Sequence, residues 1–338
     1  VIIGGGFAGA TSARILENEF DVTLIDSKNY FEFTPGVLQA IVEPEHLKRI
    51  QSPHKNYLKK AKVVVGMVKE LCLDYVKVNN KKIYFDYALL CTGSRYSPPF
   101  KEFGSGASLR SDNICWTNKI LTKANSVLVI GGGLVGVEIA AEIVEKYPEK
   151  KITIVHSGSK IMERYSDYSR DYCQRWLRDH KIKIMTGQFV HKRKGKMFIT
   201  KKGLKINADI VFVCTGIVPN TEYIKGKIKE KLILNGKIQV NKFLQTSAPN
   251  IFSAGDANSI EIEKTAHNAE RQAKIAAYNI IALERKMRLR EYNTKKTILI
   301  ISLGNKIGVI EHPNFTIGGL IPGFIKKIIE FKEMRKVR

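Results

Sequence analysis

Two stretches of this chain are near copies of each other. VIIGGGFAGATSARIL opens it at Val1, and VLVIGGGLVGVEIAAEI begins at Val127. Each is an apolar run, then glycines spaced G-x-G-x-x-G, then helix-forming residues with small side chains in the first turn. Such a stretch constrains the backbone strongly. A buried strand must enter a tight turn and return at once as a helix packed on that strand. In each copy an apolar strand follows, DVTLID ending at Asp26 and KKITIVH ending at His156. The chain is therefore expected to contain two βαβ crossover units.

The spacing also says what such turns hold. In the first copy Gly4 makes the turn, Gly6 lets a pyrophosphate approach the backbone and Gly9 lets the helix pack closely. The helix N-terminus then offers free N–H groups and a partial positive charge to the diphosphate. Asp26 stands where an acid accepts hydrogen bonds from a ribose diol. In the second copy Gly131, Gly133 and Gly136 take those places. The ribose-reading position falls on His156, with Ser157 and Lys160 nearby and no acid. An acid excludes a 2′-phosphate and a His or Lys accepts one, so NADPH is expected to serve as well as NADH. His156 as a plain strand end is the competing reading. Two nucleotide pockets explain the duplication: a resident FAD in the first and a visiting NADH or NADPH in the second.

The rest of the chain repeats with the glycines. AKVVVGMVKELCLDYVKVNNKKIYFDYALLCTGS reads as an antiparallel meander closing on an apolar strand, Tyr87 to Thr92. Further short strands after the second unit close on ADIVFVCTG, Ala208 to Gly216. A helix is expected from about Lys264 to Leu289. The fold class is α/β: two Rossmann-like domains with meander insertions and a small C-terminal α+β segment. The expected boundaries are 1–96 with 221–290 for FAD, 97–220 for NAD(P)H and 291–338 for the tail. The chain opens inside a strand, so residues ahead of Val1 are expected.

Composition narrows the class. The formal charge is +24, from 56 Lys and Arg against 32 Asp and Glu. That field attracts anionic cofactors, anionic lipid or nucleic acid, although basic residues spread along the whole chain argue against sequence-specific nucleic-acid recognition. Five cysteines without a C-x-x-C pair point to a reducing compartment. No apolar run approaches the ~20 residues of a membrane span. From Ile321 the tail places apolar residues at 321, 324, 325, 328, 329, 331 and 334, close to helical spacing, with six basic and two acidic side chains over 321–338. That fits an interfacial helix on an anionic surface; packing on the protein itself is the equal alternative.

These motifs, with TSAPNIFSAGDAN from Thr246, resemble the flavoprotein superfamily with two dinucleotide-binding domains. GGGLVGVEIAAEIVEKYPEKKITIVHS and ISLGNKIGVI most resemble its apoptosis-inducing-factor-like branch, which includes the ferroptosis suppressor proteins. Type II NADH dehydrogenases come next. The resemblance implies that Asp256, after Gly255, meets the FAD ribitol and that Thr92 and Gly93 line the flavin. It implies that Thr34 and Pro35, in FEFTPG, cover the isoalloxazine, with an aromatic core cluster as the alternative. Lys28, Val68 and Ala266 are implied at FAD, and Gly216 at the second nucleotide. Glu138 should face the nicotinamide. Lys264 and His267 should share the first turn of a helix aimed at the flavin, with His267 as a proton donor. Where type II dehydrogenases carry AQxxxQ, this chain has AHNAER, Ala266 to Arg271.

The activity so implied is FAD-dependent NAD(P)H:quinone oxidoreduction by a cytoplasmic protein peripheral to the cytoplasmic face of a membrane, as a monomer or homodimer. Two alternatives stay open. One is a soluble reductase for a small ferredoxin- or rubredoxin-type partner. The other is a flavoprotein that binds nucleic acid through its charge.

Overall fold

In the first unit Ile2–Ile3 is the centre of a five-stranded parallel sheet. Thr23–Asp26 and Ala88–Leu90 flank it, and Lys62–Val65 and Ile251–Ser253 form the edges. The second unit repeats this order. Ser126–Ile130 is flanked by Lys151–Val155 and Ile210–Val213, with Lys183–Met185 outside. Central strands such as Ile2–Ile3 and Ala88–Leu90 are buried on both faces, which is why they read as continuous apolar runs and not as alternation. The computed structural model describes residues 1–101, 107–294 and 298–338.

Two expectations are corrected. The stretch from Ala61 is not all meander. Its first strand, Lys62–Val65, continues the parallel sheet, with the Lys62 N–H on Val22 O and the Gly66 N–H on Asp26 O, both at 2.8 Å. The antiparallel meander is Val68–Leu71, Tyr75–Val78 and Lys81–Tyr84; its counterpart is Val190–Lys194, Met197–Thr200 and Lys205–Asn207. The helix expected from Lys264 to Leu289 is Ala266–Glu284, because Thr265 caps it by accepting the Asn268 N–H at 3.2 Å. The structure adds a helix, Ala107–Lys123, that has no clear signal in the sequence.

The tail is a three-stranded antiparallel sheet, Leu299–Leu303, Ile307–His312 and Phe315–Gly319, followed by the helix Leu320–Arg335. That helix is amphipathic in the unusual sense. Leu320, Ile321, Phe324, Ile328 and Phe331 point outward, 48% to 68% exposed. The face turned to the protein carries charge. Glu330 meets His46 Nε2 at 3.2 Å, Lys336 meets Glu270 at 3.2 Å and Glu333, and Lys326 acts on Glu138 and Glu142. Of the expected apolar stripe, Met334 is buried.

Candidate functional site

The six signature glycines divide into three matched pairs, each with one task. Gly4 and Gly131 have φ of +99° and +115°, and a Cβ on either would lie 2.3 or 2.2 Å from the carbonyl oxygen of Cys91 or Cys214. Only glycine fits there. A Cβ on Gly9 would meet Gly4 O at 1.7 Å, and one on Gly136 would meet Gly131 O at 1.9 Å. These two let each helix settle on its own turn. A Cβ on Gly6 or Gly133 would meet nothing within 4 Å. Those residues are the N-caps of Phe7–Leu16 and Leu134–Lys146, and neither helix has a side-chain cap. Open space beside uncapped amides at a positive helix end is what a pyrophosphate requires.

The residues expected at the two ribose positions are equally matched. The Gly5 N–H donates to Asp26 Oδ2 at 2.9 Å, and the Gly132 N–H donates to His156 Nδ1 at 3.2 Å. His156 thus stands in the position of Asp26. An accepting Nδ1 puts the ring hydrogen on Nε2, so this pocket offers a donor where the first offers acceptors. Ser157 and Lys160 are exposed just beyond.

Asp26 is held by more than its turn. Oδ1 accepts from the Lys28 N–H at 3.2 Å, and Oδ2 lies 3.3 Å from Nε2 of the fully buried His54. His54 Nδ1 is in turn bonded to the Tyr57 hydroxyl. Burial raises the pKa of Asp26, but His54 and Lys28 together outweigh it and hold the group below the usual carboxylate range. No spacing in the sequence pointed to His54. A cleft of about 450 Å³ runs past Ile3, Gly4, Asp26, Val68, Thr92 and Asn220. Phe31 and Phe33 are buried with their rings edge-on to Phe7, at 5.0 and 5.7 Å. Those phenylalanines are core, while Thr34 and Pro35 are not buried.

The two units meet at their Thr-Gly ends. Thr92 Oγ1 donates to Asn220 O at 2.7 Å, and Asn220 Nδ2 donates back to Thr92 O at 2.9 Å. Ser94–Arg95 then pairs with Val218–Pro219. Gly93 and Gly216 both have positive φ. Asp256 accepts from Ser94 Oγ at 2.7 Å and from Lys101 Nζ at 3.0 Å. Burial raises its pKa, and Lys101, Ser94 and Lys264 more than compensate. The Gly255 N–H donates to Gln272 Oε1 at 2.7 Å, and a Cβ on Gly255 would touch Ala8 and Ala269. The helix from Ala266 is thereby seated against the first glycine turn.

Lys264 and His267 do not share a helical turn as expected. Lys264 precedes the cap, and its ammonium donates to Asn258 O, Asn258 Oδ1 and Ile260 O at 2.9, 3.3 and 3.0 Å. Burial brings its pKa down to about 8. His267 is largely exposed, and the partial burial of its ring, with Arg271 and Lys274 nearby, lowers its pKa. Arg271 folds back over the Tyr292 ring at 5.4 Å and onto Asn293 O. Glu138 is fixed by the Ser302 N–H at 2.9 Å, and burial raises its pKa against the pull of Lys326. One turn on, Glu142 is 2% exposed, and its pKa is pushed up to about 7, by burial first.

Residues 1–273 match the family model of the pyridine nucleotide-disulphide oxidoreductases. The chain belongs to that family. The family's FAD and NAD(P)H fit the two turns: open space at Gly6 and Gly133, an acid at one ribose position and an imidazole donor at the other. Apoptosis-inducing factor homolog B of Dictyostelium discoideum is 30% identical over 96% of this chain and 92% of its own. Ferroptosis suppressor protein 1 of Mus musculus is 26% identical over 95% and 90%. The structure of NDH2 from Plasmodium falciparum in complex with NADH superposes with a TM-score of 0.82 at 16% identity, covering 100% of this chain and 95% of that one. In this member of the family Cys91, Cys173 and Cys214 are buried, and burial raises their thiol pKa values, which disfavours thiolate chemistry. Cys91 and Cys214 lie under Gly9 and Gly136, where a Cβ would already come within 3.4 Å of theirs.

Proposed function

We propose that this flavin-dependent NAD(P)H oxidoreductase reduces a quinone taken from a membrane surface on which it rests. The observation that carries this reading is the outward apolar face of the tail helix, bordered by the half-exposed Phe315 and Ile317 of the strand before it. Among the described residues no helix is long and apolar enough to cross a membrane. An exposed apolar stripe flanked by Lys327, Lys332 and Arg335 suits lying in the interface of an anionic bilayer. The resemblance to ferroptosis suppressor proteins and type II dehydrogenases supports the same acceptor. A soluble acidic electron-transfer protein is the second reading, favoured by the +24 charge.

In this reading FAD lies along residues 1–96 and 221–290 and the nicotinamide nucleotide along 97–220. FAD bound there would accept a hydride and pass on two electrons. Asp26 takes the ribose diol, Gly4, Gly6 and Gly9 the diphosphate, and Lys28, Thr34, Pro35, Val68, Thr92, Gly93, Gly255, Asp256 and Ala266 the rest. Gly131, Gly133, Gly136, His156, Ser157 and Gly216 hold the second nucleotide, with Glu138 at its nicotinamide end. Lys264 braces the loop beneath the helix, and His267 faces the acceptor side.

Two measurements test this. Ile321→Ser/Phe324→Ser/Phe331→Ser removes three exposed apolar side chains, each worth about 1.5–3 kcal/mol when fully buried. Co-sedimentation with phosphatidylserine-containing vesicles is expected to weaken at least tenfold, with bleaching of the flavin by NADH within twofold of wild type. Unchanged vesicle binding removes the helix from the interface. Separately, His156→Asp puts an acid at the second ribose position and is expected to raise KM for NADPH about tenfold, the ~1.4 kcal/mol of one lost favourable contact, with little change for NADH. Equal effects on both nucleotides count against His156 as the 2′-phosphate reader.

A further inference from the structure

A second acid stands behind Glu138. Glu142 lies one turn along the same helix, so the two side chains share a face. It is 2% exposed, and its Oε2 has no hydrogen-bond partner among the described residues. A buried carboxylate oxygen without a partner is costly, and a carboxylic acid there is not. The charged groups that act on it are Lys326 from the tail helix, Glu138 and Glu145 from its own helix, and His46 from the turn Pro44–His46. His46 lines a cleft of about 400 Å³ together with Glu43, Arg49 and Lys146. On its other side His46 Nε2 is bonded to Glu330.

A buried acid thus shares a helix face with Glu138 and lies within the electrostatic reach of His46, which lines an open cleft. Quinone reduction has a use for such an arrangement. NAD(P)H gives up two electrons and one proton as a hydride, and the quinone takes two electrons and two protons. Each turnover of NAD(P)H + H⁺ + quinone to NAD(P)⁺ + quinol thus draws one proton from solvent.

We propose that Glu142 stores this proton, passing it to Glu138 and being recharged from the cleft through His46. The inference rests on the quinone reading above. The position of the acid agrees with it: burial first, and the neighbouring acids Glu138 and Glu145, raise the pKa of Glu142 to about 7, while Lys326 and His46 lower it. A group that is half protonated near neutral pH can both give and regain a proton there.

Glu142→Gln keeps shape and removes the exchangeable proton. Quinone turnover is expected to fall at least tenfold, the low end of general acid–base effects being about a hundredfold. Anaerobic bleaching of the flavin by NADH should stay within twofold, and Glu142→Asp should restore part of the turnover. His46→Gln should slow turnover chiefly above pH 7, where delivery from solvent is slowest. An independent readout uses the protein without substrate. Infrared difference spectra between pH 6 and pH 8 should contain a protonated-carboxyl band that Glu142→Gln abolishes, beside one from Glu270, whose pKa burial also raises to about 7 and which Glu270→Gln identifies. If the first band survives, or if turnover and its pH profile match wild type, the store is not Glu142. If bleaching falls together with turnover, the residue serves packing and the inference also fails. A wild type that oxidises NADH with ferricyanide but reduces no quinone refutes the acceptor reading instead, and the infrared band still decides whether Glu142 holds the proton.

Discussion

Gly136→Ala is expected to give a yellow protein that NAD(P)H no longer bleaches. The added Cβ would lie 1.9 Å from Gly131 O, and that oxygen cannot retreat. Gly131 is pinned by its own N–H on Val155 O at 2.7 Å, and the Cys214 backbone already closes the other side. Relief requires the helix Leu134–Lys146 to withdraw from its turn by more than an ångström, carrying its N-terminal amides away from the diphosphate. A shift of that size at a positioning element costs about a hundredfold in rate or affinity. The mirror variant, Gly9→Ala, has a Cβ at 1.7 Å from Gly4 O and should emerge colourless, because the pocket it distorts is the one proposed for FAD.

The middle glycines supply the contrast. Gly133→Ala meets nothing within 4 Å, and its φ of −82° suits any residue. Its thermal melt should equal that of wild type while NAD(P)H affinity drops, since the methyl group enters only the space meant for ligand. Calorimetric titration with NADH and NADPH, beside the visible spectrum, separates the three outcomes. Gly133→Ala binding both nucleotides as wild type does would mean that the diphosphate does not lie at this helix end, and the two-pocket account would fall with it.

The sequence was most informative where backbone geometry dictates residue type. The glycine turns and the βαβ units around them were legible because no other residue can stand at Gly4, Gly9, Gly131 or Gly136. His156 was legible by its offset from the second glycine turn. Charge was harder. The tail wheel gave the apolar stripe, but not that it points outward while Lys326, Glu330, Glu333 and Lys336 turn inward, since that depends on partners far along the chain. Lys264 was placed on the helix although Thr265, three residues before Asn268, is a capping signal. The helix Ala107–Lys123 escaped because few of its side chains are buried, so its apolar periodicity is weak. His54 and the unpartnered Glu142 had no sequence signal at all.

That unread helix carries the second large effect. Arg110→Leu is expected to destabilise the protein by about 3–5 kcal/mol, the usual result of stranding one member of a buried ion pair. Arg110 is 1% exposed. Its guanidinium forks onto Glu32, with Nε on Oε2 at 3.1 Å and Nη2 on Oε1 at 3.3 Å, and also donates to the carbonyls of Pro99 and Phe100. Glu32 lies between Phe31 and Phe33, the rings that prop Phe7 beside the first glycine turn. Without Arg110 the carboxylate keeps Gln51 as its hydrogen-bonded side-chain partner, so the turn and its FAD should loosen together. The pH dependence fixes the cause. Burial raises the pKa of Glu32, but Arg110, Lys28 and Gln51 hold it below 4.5 in the folded protein. In the wild type this group stabilises above its unfolded value and loses that contribution as pH falls through the folded one. In Arg110→Leu burial dominates and the folded value rises, so the deficit is full at neutral pH and shrinks as Glu32 protonates. Urea midpoints should differ most near pH 7 and converge toward pH 4. Glu32→Leu/Arg110→Leu, which strands no charge, should recover much of the loss at pH 7. A gap that stays constant with pH, or a double variant no better than the single, would assign the cost to lost packing and take the ion pair out of the support for the FAD turn.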